Sequence, residues 1–465
     1  MVDLVRVAAR GTGTTAQDLI SPPELTPVPR PLEHPQVMTT KDTGRKHTPA
    51  APIQGSASPP SEDAFPYWRR NMRSLALAAA ALALGFGISN PFLPLILKEQ
   101  GATGPLEIWI GYTVGGYFTL SFFLTPLWGV VADHYGRKAM VLRTSFGMGI
   151  IYLLLPLTPN LWVFLGLYLL GGTTNGFIPS TNALIATNTP INRMGRSLSM
   201  IATGALIGGT LGPVLGALVA SHLPAYGHLM YVSGGLILLA GLIGLVFAQE
   251  HHQRPAQPFR LNVVEDLRII LRLPGIGMML FFQFTTTFTY LGSIQVVSVY
   301  TLQLMEAKGV SSGPEVNWWL GMVALALTVS SAVAAPVWGR LLDRFGAERV
   351  MLAALLASSL GALPMALVST PLQLTIMRII LGLTAAGMAP CAVTLLRGAA
   401  PRGMESRVLA WGAAFGMLGI GGGPLLAGLI GPYLGLHSFF IVNSLLLLLG
   451  FTLGFRRLKH RLAMA

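Results

Sequence analysis

Between Ser74 and Phe455 the sequence returns repeatedly to apolar runs of 18 residues or more. Nothing else about the chain restricts its fold so severely. A run of that length suits a helix that crosses a bilayer. Lipid offers the backbone no hydrogen-bond partner, so a crossing segment is either helical or part of a closed barrel. A barrel would show short alternating strands, and this sequence does not alternate. We therefore expect an all-α membrane protein with twelve transmembrane helices. The runs place them at 75–97, 109–132, 140–157, 161–184, 198–221, 230–248, 276–300, 319–342, 350–368, 372–396, 408–432 and 438–455. Composition agrees, with 52% of residues hydrophobic and 11% charged, against roughly 25% charged in soluble domains.

A formal net charge of +13 would suit a nucleic-acid partner, but the positions of the charges argue against one. Arg137, Lys138, Arg193, Arg196, Arg344, Arg349, Arg397, Arg402 and Arg407 all fall in connections at one end of the expected bundle. Arg456, Arg457, Lys459 and Arg461 join them at the C-terminus, whereas the alternate connections hold only Lys98 and Lys308. This bias places both termini in the cytoplasm and accounts for the charge by topology. Cys391 is the only cysteine and falls inside an expected span, so no internal disulfide can form. No metal-ligand cluster, cofactor motif or nucleophile–base arrangement is present, and no enzyme activity is expected.

Residues 1–67 are rich in Pro, Ser and Thr without helical periodicity, which reads as a disordered cytoplasmic tail. A first six-helix bundle is expected over 68–248 and a second over 276–455, followed by a basic cytoplasmic tail at 456–465. Between the bundles, 249–275 contains LNVVEDLRIILRL, with Leu261, Val264, Leu267, Ile270 and Leu271 on one helical face. We expect an interfacial helix there, linking the halves on the cytoplasmic side.

The two bundles carry the mark of a duplication. PLWGVVADHYGRKAMVL at 126–142 aligns without a gap on PVWGRLLDRFGAERVML at 336–352, so that Asp343 follows Asp133 by 210 positions. GGTLGPVLGA around Pro213 matches GIGGGPLLAG around Pro424, 211 positions later. Tyr168-x-x-x-Gly172 matches Arg378-x-x-x-Gly382 at 210. Two pseudo-symmetric six-helix halves enclosing a site near mid-membrane are a known transporter arrangement.

These residues also carry a family resemblance. Gly129-x-x-x-Asp133-x-x-Gly136-Arg137-Lys138, repeated as Gly339, Asp343 and Gly346, resembles the loop 2–3 signature of the major facilitator superfamily, with Val131 where Leu is usual. Gly208-x-x-x-Gly212-Pro213-x-x-Gly216, echoed at Gly423 and Pro424, resembles the span 5 signature of its drug:proton antiporters, with Ala217 replacing the last Gly. The phrases NPFLPLIL, NALIATNTP and TPLQLTIMRIILG resemble bacterial twelve-span multidrug exporters. The resemblance implies a monomer in the cytoplasmic (inner) membrane that exports small amphipathic organic compounds by alternating access, coupled to proton influx. It also implies that Asp133, and Asp343 from the other half, latch the halves together on the cytoplasmic side. A fixed loop turn, with Gly136 and Gly346 at positive φ, is the structural reading of the same residues.

Physical reasoning adds four expectations. Pro213 and Pro424 should bend their spans. Of the intramembrane cations, Arg143 lies close enough to the span end to snorkel into the cytoplasm, while Arg378 lies deeper and suits either an anchor or a cavity. No span interior contains Asp, Glu or His. A proton would thus have to use Asp133 or a span-end acid such as Glu107 or Glu306, unless the protein is a facilitator. Asn90, Tyr112, Tyr117, Asn175, Asn182, Gln283, Thr287, Tyr290 and Gln295 are candidates for the cavity lining. A facilitator or exchanger for a sugar or small organic acid, or a non-transporting receptor, would share the scaffold.

Overall fold

The computed structural model describes residues 65–250, 263–401 and 404–464. The first 64 residues and the loop at 251–262, where parts of the expected tail and linker fall, lie outside the described residues. The first half comprises α1 (Trp68–Glu99), α2 (Leu106–Ile110, Gly111–Gly115 and Gly116–Tyr135 in one run), α3 (Arg137–Leu157), α4 (Leu161–Thr187), α5 (Ile191–Ala220) and α6 (Tyr226–Phe247). The second comprises α7 (Ile276–Glu306), α8 (Pro314–Phe345), α9 (Ala347–Leu367), α10 (Pro371–Ala399), α11 (Glu405–Leu434) and α12 (His437–Met464). Eleven of the described helices are individually long and apolar enough to cross a membrane. The twelfth, α7, meets that test together with a linker helix from which it departs at 106°.

The linker helix, Val263–Arg272, buries Ile270 while Ile269 and Leu271 remain exposed. Of the expected apolar face, Ile270 packs against the protein while Leu271 remains exposed. Asp266 of this helix pairs with Arg407 of α11 at 3.2 Å. In the expected basic tail at 456–465, Arg456, Arg457 and Lys459 continue α12 as helix, since long cationic side chains are good helix formers and suit a C-terminal turn. Arg457 donates to the Gly275 carbonyl at 3.2 Å, fastening α12 to the corner where α7 begins.

The duplication is visible in individual bonds. Ser121 of α2 donates to the Gly172 carbonyl of α4 at 3.0 Å, and Ser331 of α8 donates to the Gly382 carbonyl of α10 at 3.1 Å. Gly136 (φ 97°) and Gly346 (φ 80°) make the same turn between α2 and α3 and between α8 and α9, in a backbone region that side chains avoid.

Two crossings hold the halves together at the end remote from the arginine-rich loops. At α2–α11, a Cβ on Gly111 would sit 3.0 Å from the Pro424 carbonyl oxygen. At α5–α8, a Cβ on Gly321 would sit 3.0 Å from the Pro213 carbonyl oxygen. Gly321 follows Gly111 by 210 positions, so the seams are one contact made twice. Glycine lets the backbones approach where no hydrophobic force drives helices together in lipid. Lys98 and Glu306 add an ion pair at 3.1 Å across the same end. Toward the basic end, no comparable packing joins α4 to α10 among the described residues.

Candidate functional site

Between the halves lies a cavity of about 340 Å³, walled by α1, α3, α4 and α5 on one side and by α7, α8, α10 and α11 on the other. Its surface is largely apolar, with Leu82, Phe86, Met148, Ile294, Leu327 and Met417 contributing. Asn90, Thr144, Asn175, Thr328 and Arg378 supply the polar groups. Broken helices bring several of these inward. The run Asn90–Phe92 is a 3₁₀ turn imposed by Pro91 and Pro94, which cannot continue the α-helical bonding.

The break in α4 carries most of the local chemistry. The helix stops at Thr174 and restarts at Phe177, and Gly176 adopts φ 125° between the two pieces. Asn175 turns its side chain to Ser121 at 3.3 Å and to the Met417 sulfur at 3.5 Å, reaching across to the second half. Carbonyls exposed by such a break need donors. Arg143 provides them, bonding the Thr173 oxygen at 2.9 Å and the Asn175 oxygen at 3.3 Å. Its guanidinium also stacks 3.6 Å over the Trp128 ring. Arg143 therefore does not snorkel outward as expected. The freed carbonyls hold it inside the bundle more favourably than water would.

Arg378 is buried to 1% exposure and lines the cavity. Its Nη1 donates to Ser293 Oγ at 2.9 Å, and its Nε–H has no acceptor. Among the described residues it has no acidic partner. The first-half counterpart, Tyr168, instead packs in an aromatic group with Tyr117 and Tyr152.

The other lining candidates divide. Asn90 and Asn175 reach the cavity. Tyr112 does not: it is 54% exposed, edge-on to Trp109, which in turn meets Trp162. An exposed aromatic group of this kind suits a membrane–water interface, and α2 contributes nothing to the cavity wall. Tyr117 is buried behind the wall, its hydroxyl on the Met148 sulfur at 3.9 Å. Asn182 lies on the half of α4 beyond the lining. Gln283 and Thr287 face α11, against Gly416 and Gly419, where Thr287 bonds back to its own helix at 3.0 Å. Tyr290 sits near Ser331 and Arg378, and Gln295 is buried with its side-chain oxygen unpartnered. Neither lines the cavity. Sequence reasoning favoured polar residues and so passed over the apolar majority of the wall, which hydropathy cannot separate from ordinary helix packing.

The glycine motif of α5 works within its half. A Cβ on Gly208 would overlap the Ala80 carbonyl of α1, one on Gly212 would overlap Gly87, and one on Gly216 would overlap the Ile88 carbonyl. Gly423 of α11 lies equally close to Gly292 of α7. Pro213 and Pro424 lie inside continuous helices and present their carbonyls to the seams.

At the loop 2–3 motif, the amides of Arg137 and Lys138 both donate to the Glu250 carboxylate at 2.8 Å, and Lys138 Nζ reaches the Leu245 carbonyl at 2.9 Å. The loop is thus tied to the end of α6 in its own half. Glu250 was not singled out by sequence, because it lies more than a hundred residues from the amides it caps. The side chain of Asp133 lies outside the described residues. Asp343 is exposed and no latch forms through it here. Gly129 and Gly339 face open space, so packing does not require them in this conformation. No group of three or more His, Cys, Asp or Glu that could hold a metal occurs among the described residues.

Glu107 is the acid the structure sets apart. It is 6% exposed at the α2–α11 seam, where a Cβ on Gly428 would lie 2.9 Å from its carbonyl oxygen and one on Gly431 would lie 2.9 Å from its Cγ.

Comparison with known proteins follows the same lines. The family description "Major Facilitator Superfamily" matches residues 75–327 and 296–463. The "Multidrug resistance protein MdtG" of Escherichia fergusonii is 32% identical over 408 residues, 87% of this chain and 98% of that protein. The protein of the same name from Citrobacter koseri is 33% identical over 398 residues, 85% of this chain and 96% of its own. Among solved structures, the nucleoside transporter NupG superposes with a TM-score of 0.67 at 13% identity, covering 83% of this chain and 99% of that one. A bacterial homologue of the human lysosomal transporter Spinster, inward-facing and unoccupied, gives 0.65 at 15% identity, with coverage of 84% and 96%.

Proposed function

The chain belongs to the major facilitator superfamily, and we propose that it exports small amphipathic organic compounds from the cytoplasm by alternating access, coupled to proton influx. The observation that carries this reading is the largely apolar cavity between two duplicated halves. Its volume suits a small drug-like molecule, and its few polar groups suit orientation more than tight selection. The multidrug-resistance names of its relatives support the same cargo class. The positive-inside bias supports an inner-membrane orientation with the basic end and both termini cytoplasmic. Seams at the opposite end then make this the state closed to the outside.

Coupling requires a proton site whose surroundings change between states. Glu107 is a described acid whose surroundings would change, because opening the outer seam would separate it from Gly428 and Gly431. The latch role of Asp133 and Asp343 belongs to the opposite state, in which the cytoplasmic end closes. The absence of Asp and Glu from the cavity wall favours a second reading, facilitated movement without protons.

Purified protein in liposomes, assayed with a varied compound panel and an imposed pH gradient, separates the two. Gradient-driven accumulation supports antiport. Glu107→Gln should then abolish accumulation while leaving counterflow exchange intact. Equal movement with and without the gradient refutes proton coupling, and no movement of any compound refutes export.

A further inference from the structure

Among the described residues, Arg378 is the only ionisable side chain on the cavity wall and has no acidic partner, and its burial is essentially complete. A guanidinium carries five N–H donors in a planar fork. One is used by Ser293, and Nε–H is orphaned. A cation in such surroundings generally pairs with something, and leaving it unpaired is strongly unfavourable. Arg143, in the same membrane, also leaves its Nε–H without an acceptor, but it bonds two carbonyls and stacks on an indole. Arg378 has a single side-chain hydrogen bond, to Ser293, and faces the cavity.

We propose that the preferred cargo is an amphipathic monoanion whose carboxylate, or similarly planar oxyanion, seats on Arg378. Its apolar body then lies against Phe86, Met148, Ile294 and Leu327. Arginine matches a carboxylate bidentately, with two parallel hydrogen bonds that also fix orientation. Asn90 and Asn175 from the first half and Thr328 from the second line the same cavity and supply its remaining polar groups. The duplication sharpens the assignment. The first half fills the matching position with Tyr168, packed in its own aromatic group, so the cargo's charged end is directed to the second half. This inference rests on the export reading and narrows it to a charge class.

Three fluorescent probes that share one body test it: dansylglycine (anion), dansylglycinamide (neutral) and dansylcadaverine (cation). Purified wild-type protein should bind the anion at least about tenfold more tightly than the neutral amide, and the cation least. Arg378→Lys should keep the order with weaker binding. Arg378→Gln should bind acid and amide alike. Without ligand, Arg378→Gln should melt at or above the wild-type temperature, because an unpaired charge has been removed. A structural brace between α10 and α7 predicts the reverse, with a lowered melting temperature and the same loss from Ser293→Ala. Retained anion preference in Arg378→Gln overturns the proposal, as does charge-blind binding by wild type with transport intact. Those results leave export standing, whereas wild type that neither binds nor moves any of the three counts against both.

Discussion

A methyl group added at each of the two seams should tilt the conformational equilibrium without weakening either half. In the double variant Gly111→Ala/Gly321→Ala, each new Cβ would lie 3.0 Å from a prolyl carbonyl oxygen, and that on Gly321 also 3.0 Å from Ala217 Cβ. Ordinary contact is a few tenths of an ångström longer. Overpacking of this kind costs about 1–3 kcal/mol per site, and the mild overlap argues for about 1 kcal/mol. The cost exists only while the outer end is closed, because only then do these residues meet. Two sites give about 2 kcal/mol, which shifts the population toward the outward-open state roughly 30-fold. Gly208→Ala provides the contrast. Its Cβ would overlap the Ala80 carbonyl inside one half, a clash present in every state. It should lower thermal stability without moving the equilibrium. Spin labels at Thr103 and Lys308, both exposed at the outer end in different halves, report the opening in a Cys391→Ser background. The double variant should lengthen that distance and Gly208→Ala should not. An unchanged distance in the double variant would falsify the pivot, as would a lengthening in Gly208→Ala.

Three further outcomes follow from the contacts described. Glu250→Ala removes the cap on α3, a loss of about 1 kcal/mol. Hydrogen exchange at the amides of Arg137 and Lys138 should quicken about fivefold, and unchanged protection would mean that the carboxylate is dispensable. Lys98 and Glu306 are 51% and 45% exposed, so Lys98→Ala should cost under about 1 kcal/mol. Transport should fall no more than severalfold and recover in the Lys98→Glu/Glu306→Lys swap; a complete loss would show that the pair is a principal gate. Arg143→Lys keeps the charge but cannot serve two carbonyls and the Trp128 face together. It should destabilise the protein by about 1.5–3 kcal/mol, read as a lowered melting temperature, and wild-type stability would remove Arg143 from the α4 break.

The span pattern was legible because lipid imposes a single requirement on every crossing segment, and the duplication because both copies kept their glycines and prolines. The Gly136 and Gly346 turns followed from the same signal. What escaped were contacts between residues distant in sequence. Glu250 reads as an ordinary loop acid until α6 is brought beside α3. Arg143 reads as a snorkelling cation until α4 breaks opposite it, and the break itself has only Asn175 and Gly176 as a warning. Tyr112 and Asn90 have similar polarity on paper. Asn90 lies on a helix that walls the cavity and Tyr112 on one that does not, a difference of helix placement that hydropathy cannot resolve among all-apolar spans.

The two outer crossings are copies, a glycine laid over a prolyl carbonyl on either side of the cavity. Stiff helices tie both to the same pair of bundles, so neither can unzip while its twin stays shut. If that end opens, it is therefore expected to open on both flanks together. A half-parted conformer, leaking along one flank only, has no stable place in such a scheme.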